Sequence, residues 1–72
     1  MIKVNDLRNT DGDRNTVLIS AFSDTKAEVA TTPISDYIGM PKNMTIEMGS
    51  DMMTADGEMA FMKSDGTWNW LS

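Results

Sequence analysis

The side chains with chemical potential in this 72-residue sequence are carboxylates: eleven Asp and Glu stand against six Lys and Arg, with no histidine and no cysteine. Without imidazole or thiol there is no ordinary nucleophile–base pair and no soft metal ligand. A general base would have to be a carboxylate or lysine with a strongly shifted pKa, held in a water-excluded cleft. Asp11, Asp13, Asp24, Glu28, Asp36, Asp51, Asp56 and Asp65 fall mostly in predicted loops, where solvation and turn formation account for them. The sequence therefore reads as non-enzymatic and free of cofactors. Asn9, Asp11, Asp13 and Asn15 do offer oxygens at every second position, as hard cations require. Gly12 falls between the carboxylates, however, and no bidentate Glu follows at EF-hand distance, so the segment reads as a hairpin loop rather than a metal site.

The net charge of -5 excludes further classes. Lys3, Arg8, Arg14, Lys26, Lys42 and Lys63 are scattered singly among more numerous acids, which is not the basic surface that phosphate neutralisation needs, so no nucleic-acid partner is expected. No apolar run approaches the roughly 20 residues that span a bilayer, and no basic segment followed by an apolar stretch opens the chain. A soluble protein without membrane partner or export signal is the expectation. One small β domain over residues 1–72 is the most this length allows. Such a chain seldom gains more than about 3–5 kcal/mol from its core, and without cysteine it has no disulfide to help, which favours borrowing stability from neighbours.

The elements follow from pattern. Ile2, Val4 and Leu7 suggest one strand and Thr16 to Phe22 a second, joined by a loop of turn formers from Asn9 to Asn15. Ser23 to Ala30 is the one helical segment, with Thr25 and Glu28 at capping-box spacing and Pro33 beyond it, and it has room for at most two turns. Gly39 and Pro41 punctuate the stretch after Pro33, where Tyr37 and Ile38 can enter a short strand. Asp56-Gly57 and Asp65-Gly66 then separate three strand-like runs, predicting a three-stranded meander. The fold class expected is all-β: a small antiparallel sandwich or rolled sheet ending in this meander, with at most one short helical turn.

Two-residue Asp-Gly turns would set the register and therefore the faces. Met52, Thr54, Met59, Phe61, Lys63, Trp68 and Trp70 would share one side, and Met53, Ala55, Glu58, Ala60, Met62, Asn69 and Leu71 the other. Lys63 would then lie across Trp68 in a cation–π contact. Both sides carry large apolar groups, so the sheet needs two covers. The N-terminal hairpin can supply one. Met44-Thr45-Ile46-Glu47-Met48, with Met44, Ile46 and Met48 alternating to one side, or another polypeptide must supply the second. Seven of the eight methionines lie between Met40 and Met62, and methionine serves both as core filler and at adaptable binding surfaces. The candidate protein-interface residues are Met44, Ile46, Met48, Met53, Met62, Trp68, Trp70 and Leu71. Unpaired edges at Trp68 to Leu71 or Ile2 to Leu7 are candidates for joining a neighbour's sheet.

The run Gly49-Ser50, then Thr54-Ala55-Asp56-Gly57-Glu58-Met59-Ala60-Phe61-Met62-Lys63-Ser64-Asp65-Gly66-Thr67-Trp68 with Asn69-Trp70, resembles the ending of small virion accessory proteins of tailed bacteriophages. Phe22 to Val29 is similar to a further stretch in that group. The resemblance covers a little under half the chain and brings no catalytic residues. It implies a virion part, assembled in the host cytoplasm and attached to major capsid or neck proteins as decoration, cement or fibre base, with homo-oligomerisation expected. A competing reading, motivated by the negative charge, is a small acidic phage-encoded inhibitor of a host protein.

Overall fold

The computed structural model describes residues 1–9 and 15–71. Strand β1 (Lys3–Arg8) pairs antiparallel with β2 (Thr16–Ser23), as the β-branched and apolar run of β2 predicts. The Asp11 and Asp13 oxygens considered for a cation lie outside the described residues. Helix α1 (Lys26–Thr31) follows, and its Thr25 cap accepts the Glu28 backbone N–H at 3.1 Å. A 3-10 helix (Ile34–Asp36), β3 (Thr45–Ile46), β4 (Asp51–Thr54), β5 (Met59–Met62) and β6 (Trp68–Trp70) complete the chain.

These strands form one sheet in the order β1-β2-β4-β5-β6, with β3 also on β2. The chain is mostly strand and ends in the expected antiparallel meander β4-β5-β6, but the sheet is mixed, not the purely antiparallel sandwich or rolled sheet expected. The reason lies in the route between β2 and β4. After β2 the chain crosses one face of the sheet through α1 and the 3-10 helix, then returns so that β4 runs parallel to β2. Parallel neighbours require such a crossover, whereas a hairpin would reverse direction. The N-terminal hairpin consequently joins the meander edge to edge, with Phe22 beside Met53, and does not stack over it. Ile38 extends the far edge, exchanging bonds with Ile2 and Val4 of 2.9 and 2.8 Å.

β3 and β4 act as one interrupted strand along β2. Thr45 N–H donates to Asn15 O and Glu47 N–H to Val17 O, both at 2.8 Å. The chain then turns at Glu47 to Ser50, closed by a 3.2 Å bond from Ser50 N–H to Glu47 O, with Gly49 at φ 96°. That left-handed backbone suits glycine. The turn withdraws a carbonyl from β2, and the buried Ser50 hydroxyl replaces it by accepting Ile19 N–H at 2.9 Å. Met44 and Ile46 share the core side as expected, Ile46 buried and Met44 half-buried against it, but Met48 is turned out at 64% exposure.

The core lies on one face. Val17, Ile19, Ala21, Ile46, Met52, Ala60 and Met62 pack there with Ile2, Val29 and Tyr37, and Trp68 and Trp70 close the β6 side. Met62 is corrected from the expected second face to this core, and the turns explain why. Gly57 N–H donates to Thr54 O, while Gly66 N–H donates to Lys63 O and Lys63 N–H to Thr67 O. Each Asp-Gly pair thus ends a three-residue loop, Ala55-Asp56-Gly57 or Ser64-Asp65-Gly66, with glycine left-handed at φ 89° or 85°. This is the turn-plus-bulge form of hairpin, not the two-residue form. Each one-residue difference flips the following strand, so β5 is inverted relative to expectation and β6 is restored. Met52, Ala60 and Trp70 form one cross-strand row, and Met53 and Met59 oppose each other on the other face.

Candidate functional site

Among the described residues no layer covers the face opposite the core. Register places Lys3, Phe22, Met53 and Met59 in a row across β1, β2, β4 and β5, and Leu71 continues it by donating its N–H to Met59 O at 2.9 Å. The next row runs Asp6, Ser20, Asp51, Phe61, Asn69. Phe22, Met53, Phe61 and Leu71 retain 38, 49, 41 and 56% of their surface in water. Large apolar side chains from β2, β4 and β5, and from Leu71 just beyond β6, thus lie on one surface. Asp51 and Asp6 border the row, Lys3 ends it, and Arg8 pairs with Asp6 at 3.4 Å. A contiguous apolar strip with a charged border matches the organisation of protein-binding surfaces.

The candidate interface residues separate accordingly. Met53 and Leu71 lie on the open face, and Met48 is exposed at the Glu47 to Ser50 turn. Ile46 and Met62 are core residues, and Trp68 and Trp70 pack against the core as half-buried residues. Phe22, Met59 and Phe61 join the open face without having been singled out. The glycine closing each Asp-Gly pair was the available signal, because glycine also suits the final left-handed position of a three-residue loop.

Met44 and Ile46, with Ile34, Ser35, Thr45, Met62 and Gly66, line an apolar cleft of about 220 Å³ at the β3 end of the core layer. Its size is below the roughly 300–1,000 Å³ of sites for drug-sized ligands.

Polar groups hold the core layer in place. Trp68 Nε1–H donates to Tyr37 Oη at 3.2 Å, and burial pushes the Tyr37 phenol above its ordinary pKa. Lys26 lies 5.1 Å from the Trp70 ring centroid and 3.9 Å from Glu58, so the cation–π contact forms at Trp70. The expected Lys63–Trp68 contact is replaced by Lys63 beside Asp65 at 3.8 Å. The Glu28 carboxylate accepts from Ser23 Oγ at 3.1 Å and pairs with the Met1 ammonium, which lowers the pKa of Glu28 and, with Asp24, raises that of the amine.

The turn aspartates serve their own loops. Asp56 accepts from Thr54 Oγ1, and Asp65 accepts from Thr67 Oγ1 at 2.6 Å and Thr67 N–H at 3.0 Å. These bonds hold both carboxyls below their ordinary pKa. Among the described residues no three acidic side chains converge as a metal site, and no buried side-chain nitrogen or oxygen lacks a partner. Comparison with protein-family models, curated proteins and solved structures finds no match for this chain.

Proposed function

We propose that this chain is a non-enzymatic structural protein of a tailed-phage virion, held on major capsid or neck proteins as decoration, cement or fibre base. The observation that carries the reading is the open sheet face, where Phe22, Met53, Met59, Phe61 and Leu71 form a contiguous apolar surface. A small domain gains by covering such a surface, and a partner bound only to the folded state adds to its stability by mass action. The row itself holds no carboxylate between Phe22 and Leu71, so the overall negative charge does not prevent an apolar partner from seating there.

The resemblance of Gly49-Ser50 and the two Asp-Gly hairpins to virion accessory proteins supports the same reading. Its test is quantitative mass spectrometry of purified particles of the phage encoding the chain. Stoichiometric presence is the expected result. Absence from particles, with the protein abundant in infected cells, would overturn the structural role and favour the acidic inhibitor.

A further inference from the structure

We propose that β6 is a self-pairing edge, through which two copies join antiparallel about a two-fold axis at Asn69 and fuse their sheets into one. The backbone pattern is the starting observation. Lys63 N–H donates to Thr67 O and Leu71 N–H to Met59 O, while Phe61 sits opposite Asn69. In an antiparallel ladder, hydrogen-bonded pairs alternate with non-bonded ones. Thr67, Asn69 and Leu71 therefore direct their backbone groups toward β5, and Trp68 and Trp70 direct theirs outward. β6 is the last strand of the sheet, and among the described residues no strand pairs with the outward N–H and C=O of either tryptophan.

The two sheet edges are treated differently. β1 is interrupted by a bulge between Val4 and Asp6, bears Lys3, Asp6 and Arg8, and is bonded by Ile38 along its first residues. Bulges, charges and covering segments are the usual means of keeping an edge from pairing. Trp68-Asn69-Trp70 has none of them: no charge, no proline, no bulge, and two residues of high strand propensity.

The occupant follows from the symmetry of what is offered. The outward groups come from two positions flanking Asn69, so an identical antiparallel strand sets Trp68 opposite Trp70 of the second copy, and the reverse, pairing every outward group. The contact is isologous and closes as a dimer. It brings tryptophans side by side across the join, a favourable cross-strand aromatic pair. It also places the two Asn69 side chains opposite each other, in a non-hydrogen-bonded pair where side chains approach most closely. The open faces of the two copies then become one surface, which deepens the proposed virion role by naming how copies combine. The solution test below is independent of whether particles contain the protein.

Asn69 is exposed in the single chain, so it can be changed without disturbing the core. Analytical ultracentrifugation of the full chain should show a concentration-dependent dimer that strengthens with salt, because each copy carries a charge of -5. Asn69→Lys and Asn69→Glu, each alone, should weaken the dimer about fivefold or more by setting like charges opposite each other. An equimolar mixture of the two should restore it as a heterodimer. In hydrogen exchange, the Trp68 and Trp70 amides should gain protection as concentration rises, while the Asn69 amide is protected throughout. A wild-type chain that stays monomeric overturns the proposal and leaves the edge to a strand of another protein. A dimer indifferent to both charges and their mixture, or Trp68 and Trp70 amides indifferent to concentration, overturns it as well.

Discussion

Trp68 Nε1–H donates to Tyr37 Oη at 3.2 Å across 31 residues of sequence, tying the crossover segment to the last strand. Tyr37 is buried against the core, so this bond fixes where the covering layer sits on the sheet. Tyr37→Phe should keep the ring packing and lose about 0.5–1.5 kcal/mol, measured by urea denaturation. The same burial gives a pH dependence. The folded phenol has a pKa above its ordinary value of 10.0, so the unfolded chain releases the proton first as pH rises. Stability should fall above about pH 10, and ultraviolet titration should find Tyr37 ionising later than a free tyrosine.

Ser50 stands where the β2 ladder loses its neighbour, and its hydroxyl is the acceptor for the Ile19 N–H. Ser50→Ala should cost about 1–3 kcal/mol, since a buried donor is left without a partner while the core shape hardly changes. The Ile19 amide should lose hydrogen-exchange protection before its neighbours do.

The open face and the core make opposite predictions for neighbouring residues of β5. Met62→Ala should destabilise the chain by about 2–5 kcal/mol, because Met62 is nearly inaccessible at 2% exposure. Phe61→Ser, at a side chain 41% exposed, should cost about 1 kcal/mol of monomer stability, less than Met62→Ala, yet on the proposed virion role abolish attachment to particles. Chemical denaturation paired with a particle-binding assay separates the two effects. Equal losses in both assays for both variants would show that the faces are not divided in this way.

Gly66 holds a left-handed backbone with nothing within 4 Å of where a Cβ would stand, so its substitution tests conformation alone. Gly66→Ala should cost about 1–2 kcal/mol, and Gly66→Asn should cost less because Asn tolerates this region. The order of thermal midpoints, glycine above asparagine above alanine, is the expected result.

The Glu28 carboxylate and the Met1 ammonium give a bounded pH window. Glu28 has its pKa lowered from 4.5, chiefly by the N-terminal amine, so its contribution is present above that value and lost as pH falls through the folded pKa. The amine has its pKa raised from 8.0, chiefly by Asp24, so its contribution is present below that value and lost as pH rises through the folded pKa. Thermal midpoints should therefore be highest between about pH 4.5 and 8, and Glu28→Gln should make the acid side shallower, leaving the loss due to Asp56 and Asp65.

Local chemistry was legible where it depended on neighbours in the chain. Thr25 and Glu28 announced the helix start, the β-branched run of β2 announced a strand, and the two Asp-Gly pairs announced the hairpins. What the tertiary structure decided was direction and parity. Only the crossover through α1 makes β4 run parallel to β2, which turned the expected second layer into an extension of the same sheet. Only the loop geometry at Gly57 and Gly66 decides which side of β5 faces the core. Strand side chains alternate with a period of two, so one residue of loop length moves Met62 inward and Phe61 outward. The composition alone supplied more apolar groups than one face could bury, and the fold determined which of them stayed in water.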